Sequence, residues 1–221
     1  MTASDPTYYP VYLQLEGYDC VVIGGGKIAE GKVEGLLSAG ARITIVSPEL
    51  TERLQALVTT GKLTHFSRCY QSGDLAGAFL VICATNRPSV NHQVWLDATA
   101  DHRLVNVVDD IPRCNFILPS TVRQGDLMIA ISTSGKAPAL AIRIKEYLQQ
   151  EIGPHYAHFL RLAGKLRQPL AEHFPDIKIR KTLWYDLVDS DVLALLEAGN
   201  EAAALQRITE IVGFPFRPDM L

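Results

Sequence analysis

Along the first half of the chain the hydrophobic positions alternate between two periods. Tyr18 to Ile23 is a short apolar run, rich in valine, that stops at three consecutive glycines, the pattern of a buried strand meeting a tight turn. From Lys27 the apolar positions Ala29, Val33, Leu36 and Leu37 recur at helical spacing, and Gly40 stands where a helix C-terminal glycine belongs. Arg42 to Val46 follows at once as a second strand. A βαβ unit thus closes within about thirty residues, the span of a right-handed crossover between parallel strands. The alternation continues with Leu50 to Thr60 as helix, Leu63 to Phe66 and Phe79 to Ala84 as strands, Val90 to Ala100 as helix and Leu104 to Val108 as strand. Strands separated by helices predict an α/β protein built on a Rossmann-type doubly wound parallel sheet. Ahead of it, Val11 to Leu15 reads as a short extended segment.

Beyond Pro119 the rhythm changes. Leu127 to Thr133 predicts a strand, Ser134 to Pro138 a turn, and Leu140, Ile144, Leu148 and Ile152 one stripe of a helix. From Tyr156 the spacing is helical throughout, with Phe159, Leu162, Ala163, Leu166 and Leu170 in one segment and Leu205, Ile208, Ile211 and Val212 in a later one. The expected organisation is a nucleotide-binding Rossmann domain over residues 1–118, a small α+β dimerisation segment over 119–151 and a helical domain over 152–221. The middle segment is too short to form its own core, and its stripe must be covered, which predicts a homodimer.

With 221 residues and 48% hydrophobic side chains, the chain can bury a core without staples. A net charge of -3 gives no electrostatic reason to expect nucleic acid or an anionic membrane as partner. Cys20, Cys69, Cys83 and Cys114 form no CxxC pair, which fits free thiols in a reducing compartment better than zinc or a disulfide framework. No run approaches the ~20 apolar residues of a membrane span. Met1 to Pro10 lacks the basic start and apolar stretch of a signal peptide, so the expected location is the cytoplasm. The six histidines contain no HxxxH or HExxH pattern, and no protein-held metal is expected.

Candidate chemistry gathers at the ends of the predicted strands. Gly24, Gly25, Gly26, Lys27, Ile28 and Ala29 satisfy GxGxxG/A between a strand and a helix, the context in which that pattern has meaning. Gly24 would permit the turn, Gly26 would let backbone approach a pyrophosphate, and Ala29 would let helix and strand pack closely. The anion would sit at the positive helix end beside Lys27 and Ile28. After the second strand come Ser47, Pro48 and Glu49, with Arg53 a helical turn further on; a serine with a nearby acid favours a ribose hydroxyl, and so NAD, over a 2′-phosphate. Thr85 and Asn86 follow a strand and either line the crevice or cap the next helix. Asn106, Asp109 and Asp110 end the last predicted strand, where a carboxylate serves as general acid or base beside a nicotinamide or simply starts the turn before Pro112. Ser132, Thr133, Ser134, Gly135 and Lys136 precede Pro138 at a helix start, with Arg143 about two turns along, and read as an anion site or an ordinary cap.

GGGKIAEGK, IVSPEL, CATNRPSVN, VNVVDD followed by FILPS, and ISTSGKAPALAIRIKEYL occur in one order that resembles the precorrin-2 dehydrogenase family of siroheme biosynthesis, the module at the N-terminus of siroheme synthases. The resemblance runs from about Tyr9 through Leu170. It implies oxidation of precorrin-2 to sirohydrochlorin with NAD as cofactor, and in some members insertion of ferrous iron as a second substrate. Carried across, the family's essential aspartate falls on Asp109, its glycine turn on Gly24 to Gly26 and its hydroxyl and glycine stretch on Ser132 to Gly135. The tetrapyrrole substrate bears acetate and propionate groups, for which Arg113, Lys136 and Arg143 are candidate clamps. Asn106 joins them as a candidate substrate contact. Two other readings of the same motifs are an NAD-responsive binding protein without catalysis and an enzyme that only chelates.

Overall fold

A computed structural model describes residues 7–217 and divides into two compact units between Leu118 and Pro119. Part of the Met1 to Pro10 leader reading, residues 1–6, lies outside the described residues. The first unit runs β1 (Asp19–Ile23), α1 (Lys27–Ser38), β2 (Arg42–Val46), α2 (Glu52–Thr59), β3 (Thr64–Phe66), β4 (Leu80–Cys83), α3 (Pro88–Ala100) and β5 (Leu104–Val107). Its five strands are all parallel in the order β3-β2-β1-β4-β5. The predicted Rossmann-type sheet is therefore present, and its order reverses between β1 and β4. Beyond the C-terminal ends of those two strands lies the crevice where sheets of this kind bind ligands.

The sheet is buried on both faces, which explains why its central strands read as continuous apolar runs. On one face Ala29 and Val33 of α1 and Leu54 of α2 pack with Val22, Ile43, Ile45 and Ile82. On the other, Val94 and Ala98 of α3 pack with Val21, Val81, Val105 and Val107. α1 ends as its glycine predicts: Gly40 has φ +77°, and Gly40 and Ala41 donate to the carbonyls of Leu37 and Leu36 at 3.0 and 3.2 Å.

The segment Val11 to Leu15 joins no sheet; Leu15 alone anchors it in the core, while Val11, Tyr12 and Leu13 are exposed. In the second unit a strand absent from the pattern analysis, β6 (Ser120–Gln124), pairs antiparallel with β7 (Leu127–Ile131). Val122 is its only buried side chain, too little for a period-two signal. β7 stops at Ile131 instead of Thr133, because the Ser132 and Thr133 hydroxyls accept bonds from the following backbone.

The second unit continues with α4 (Pro138–Glu151), α5 (Pro154–His173), α6 (Ile177–Val188), α7 (Val192–Glu197) and α8 (Glu201–Val212). Phe159, Leu162, Leu166 and Leu170 of α5 meet Leu187, Val192, Leu196, Ala204, Ile208 and Val212 in its core. α4 takes little part: Ala141 is its one buried residue, and Leu140 and Tyr147 are 53% and 60% exposed. Among the described residues no helix is long and apolar enough to cross a membrane.

Candidate active site at the strand ends

The glycine turn has three different environments. Gly24 sits at φ +115°, a backbone state that side chains rarely adopt, and a Cβ there would lie 2.3 Å from the Ala84 carbonyl oxygen. A Cβ on Gly25 would lie 2.0 Å from the Glu49 oxygen. Gly26, the N-cap of α1, faces open space, with nothing within 4 Å of its would-be Cβ. The first two glycines therefore let three loops approach, and the third leaves room for a ligand. No side chain caps α1, so its first-turn N–H groups keep their capacity for an anion. Ala29 is fully buried where helix meets strand, whereas Lys27 and Ile28 are exposed beside Gly26.

The loop after β2 is tied to this turn. Thr51 N donates to the Gly25 carbonyl at 3.0 Å, and the Thr51 hydroxyl donates to Glu30 at 2.6 Å. That bond, with the Lys27 ammonium, holds the Glu30 carboxyl below its ordinary pKa. Ser47 is buried; its hydroxyl donates to the Glu49 carbonyl at 2.8 Å and its carbonyl meets His65 Nε2 at 2.9 Å. Pro48 and Glu49 are exposed. Arg53 is paired with Glu34 at 3.2 Å.

At the end of β4, Thr85 proves to be a structural tie. Its hydroxyl lies 2.6 Å from Asn91 Oδ1 and accepts from Arg87 N at 3.1 Å, while Asn91 Nδ2 donates to the Thr85 carbonyl at 3.2 Å. The Cys83 thiol also donates to Asn91 Oδ1 at 3.2 Å, and burial raises its pKa to about 12. Asn91 is thus the organising residue of this loop, one that motif reasoning missed because its partners lie six and eight residues back. Asn86 is exposed at the loop's tip.

The two aspartates after β5 differ sharply. Asp109 is exposed, in the left-handed region at φ +59°, and its carboxylate has no partner among the described residues. Asp110 caps the short 3-10 turn Ile111–Arg113 and is ion-paired with Arg113 Nη1. Arg113 Nε in turn donates to His92 Nδ1 at 3.3 Å. The structure therefore gives Arg113 partners within its own unit, where the sequence reading has it as a substrate clamp. Asn106 is likewise engaged: it is buried, and its amide donates to the Phe116 carbonyl at 3.1 Å.

In the second unit, Ser132 accepts from Ser134 N at 3.0 Å and Thr133 from Ala137 N at 3.2 Å, the pattern of a self-capped loop before α4. Ser134 and Gly135 take left-handed backbone at φ +53° and +77°. Lys136 is exposed, and Arg143 pairs with Glu146 at 2.8 Å. Among the described residues no three His, Cys, Asp or Glu side chains are grouped as a metal site requires.

A doubly wound parallel sheet with a glycine turn after β1 and a carboxylate at the end of β5 defines a Rossmann-type protein. Residues 11–120 match a family described as putative NAD(P)-binding, 124–151 the central region of sirohaem biosynthesis proteins and 155–211 the sirohaem synthase dimerisation region. The siroheme synthase of Photobacterium profundum is 35% identical over 204 residues, 92% of this chain and 44% of that protein. Siroheme synthase 1 of Aeromonas salmonicida is 38% identical over 200 residues, 90% and 43% respectively. The solved structure of SirC, a precorrin-2 dehydrogenase, superposes with a TM-score of 0.75 at 29% identity, covering 92% of this chain and all of that one. The chain belongs to the precorrin-2 dehydrogenase family that forms the N-terminal module of siroheme synthases. It spans less than half the length of the siroheme synthases it matches. The family description attaches dimerisation to 155–211, C-terminal to the 119–151 segment for which the sequence pattern predicts it.

Proposed function

We propose that the chain oxidises precorrin-2 to sirohydrochlorin with NAD+ as acceptor. The observation that carries this reading is the division of labour at the end of β5, the strand beside β4: Asp110 is committed to Arg113, and Asp109 is left exposed with no partner among the described residues. The oxidation removes a hydride and a proton from the macrocycle. Bound NAD+ supplies the hydride acceptor. Asp109, as carboxylate, takes the proton. The turn at Gly26 and the uncapped start of α1 offer space and N–H donors for a pyrophosphate. NAD+ is preferred to NADP+ because Arg53, the nearest arginine after β2, is paired with Glu34, and Glu49 is exposed where a 2′-phosphate would be repelled. Ferrous iron, if inserted, is a second substrate at the same acid, because pyrrole nitrogens must lose protons before metal enters.

Asparagine tolerates left-handed backbone as aspartate does, so Asp109→Asn isolates the chemistry from the fold. NADH production from precorrin-2 is expected to fall by on the order of a hundredfold or more, the scale of a lost general base, with NAD+ affinity unchanged. Asp110→Asn is expected to lose about tenfold at most. Full activity in Asp109→Asn refutes the acid-base role. No NADH from the wild-type protein, with sirohydrochlorin still metallated, leaves chelation alone.

A further inference from the structure

We propose that Asp110, Arg113 and His92 form a brace that orients Asp109, so that Arg113 is a positioning residue and not a clamp for substrate carboxylates. The inference rests on the reading of Asp109 as proton acceptor. Aspartate tolerates positive φ better than most residues, but a single left-handed residue holds a fixed direction only where its neighbours are tied down. Around Asp109 they are. Val108 N donates to the Cys83 carbonyl at 2.9 Å, which ties the turn to the end of β4. Asp110 N donates to the Val107 carbonyl at 3.2 Å and closes the turn from the other side. The Asp110 carbonyl then accepts from Arg113 N at 3.0 Å and from the Cys114 thiol at 3.2 Å.

These backbone bonds all lie between residues 107–114 and the end of β4, and none of them reaches α3. The side chains add that link. One guanidinium reaches Asp110 through Nη1 and His92 through Nε, so the turn after β5 is linked to the N-terminal half of α3. The His92 ring is itself held by stacking on Trp95, at 5.7 Å between centroids and 26° between planes. The residue before it, Asn91, holds Thr85 and Cys83 at the end of β4. Two consecutive residues of α3 therefore grip the two loops that flank the β4 and β5 end of the crevice. Arginine suits the post because its planar fork serves two partners at fixed angles, which an ammonium cannot do. With Nη1 on Asp110 and Nε on His92, a substrate carboxylate could reach only the remaining Nη2, on one edge of the guanidinium, so a bidentate clamp through Nη1 would break the pair with Asp110.

The test is steady-state kinetics with precorrin-2 and NAD+, alongside melting curves. Arg113→Met and Asp110→Asn are each expected to lower kcat about tenfold, with little change in KM for precorrin-2 or in NAD+ affinity. The double variant should be no slower than the worse single, because both remove one unit. Arg113→Lys keeps the Asp110 pair and should recover part of the loss. His92→Phe retains stacking on Trp95, sits on the surface and should cost about threefold in kcat. A large rise in KM with kcat intact in Arg113→Met, and a silent Asp110→Asn, would make Arg113 a substrate clamp and overturn the brace. Asp109→Asn run in parallel separates the two ideas. If it is inactive while all brace variants keep wild-type kcat, the brace alone has failed; if it is fully active, the acid reading has failed and takes the brace with it.

Discussion

Gly24 and Gly26 belong to one motif, yet replacing them should break different things. In Gly24→Ala the new Cβ meets the Ala84 carbonyl oxygen at 2.3 Å and its carbon at 2.8 Å, both backbone atoms at the end of a buried strand. Neither can swing away. Overpacking of this kind costs about 1–3 kcal/mol, and a side chain at φ +115° adds about 1–3 kcal/mol of backbone strain. Against a total stability of about 5–15 kcal/mol this is severe, and at about 2–4 °C per kcal/mol for a chain of this size it predicts a fall in Tm of about 4 °C or greater. In Gly26→Asp the new Cβ meets nothing within 4 Å, and the substitution puts a favoured residue at the N-cap of α1, so melting should be unchanged or raised. Its charge is the perturbation. Two like charges about 6 Å apart repel by about 3 kcal/mol at an effective dielectric of about 20, which for an anion seated on this turn is about a hundredfold in Kd. Calorimetric titration with NAD+ and thermal melts of both variants read the two effects separately. Wild-type melting in Gly24→Ala, or wild-type NAD+ affinity in a folded Gly26→Asp, would refute the steric and the cofactor argument respectively.

The exposed face of α4, with Leu140, Ile144 and Tyr147, is expected to be covered by a second copy, so sedimentation at micromolar concentration should show a dimer that Leu140→Glu and Ile144→Glu weaken. A wild-type monomer would count against this. Asp74 is held by both terminal nitrogens of Arg68 at 2.6 and 2.7 Å and by Gln71 N, which keeps its carboxyl below the usual value, chiefly through Arg68. A depressed folded pKa contributes stability that is complete above the unfolded value and is lost as pH falls through the folded one. Asp74→Asn should therefore cost about 1 kcal/mol in denaturant unfolding at neutral pH, the pair being partly exposed, and converge with wild type in acid.

The sheet was legible because burial on both faces writes each inner strand as an unbroken apolar run, and Ala29, Val33 and Leu36 mark the helix between two of them. β6 was not, since a single buried valine carries its alternation. Within the candidate site, local pattern reached the residues whose place depends only on a strand end. Gly26 and Asp109 announce themselves by where they fall relative to a strand end. What pattern cannot show is engagement across the chain: Gly25 is confined by Glu49 and Leu50, and Arg113 finds His92 twenty-one residues earlier. The reading of Arg113 and Asn106 as substrate contacts followed from charge and position, and both side chains turned out to have partners that only the tertiary structure supplies.

The strand order also sets a schedule for synthesis. β1 lies at the middle of the sheet, but its two neighbours arrive at different times: Cys20 pairs with Ile43 on one side and with Leu80 on the other. As the chain leaves the ribosome at about 5–20 residues per second, β1, β2 and β3 can assemble while β4 is still missing, for roughly one to three seconds. During that interval Cys20 to Ile23, fully enclosed in the finished sheet, present an open apolar edge to whatever else is nascent nearby. Substitutions in β4 at Val81 or Ile82 that delay its docking should therefore reduce the yield of soluble protein from cells by more than the loss of stability measured on the purified material would suggest.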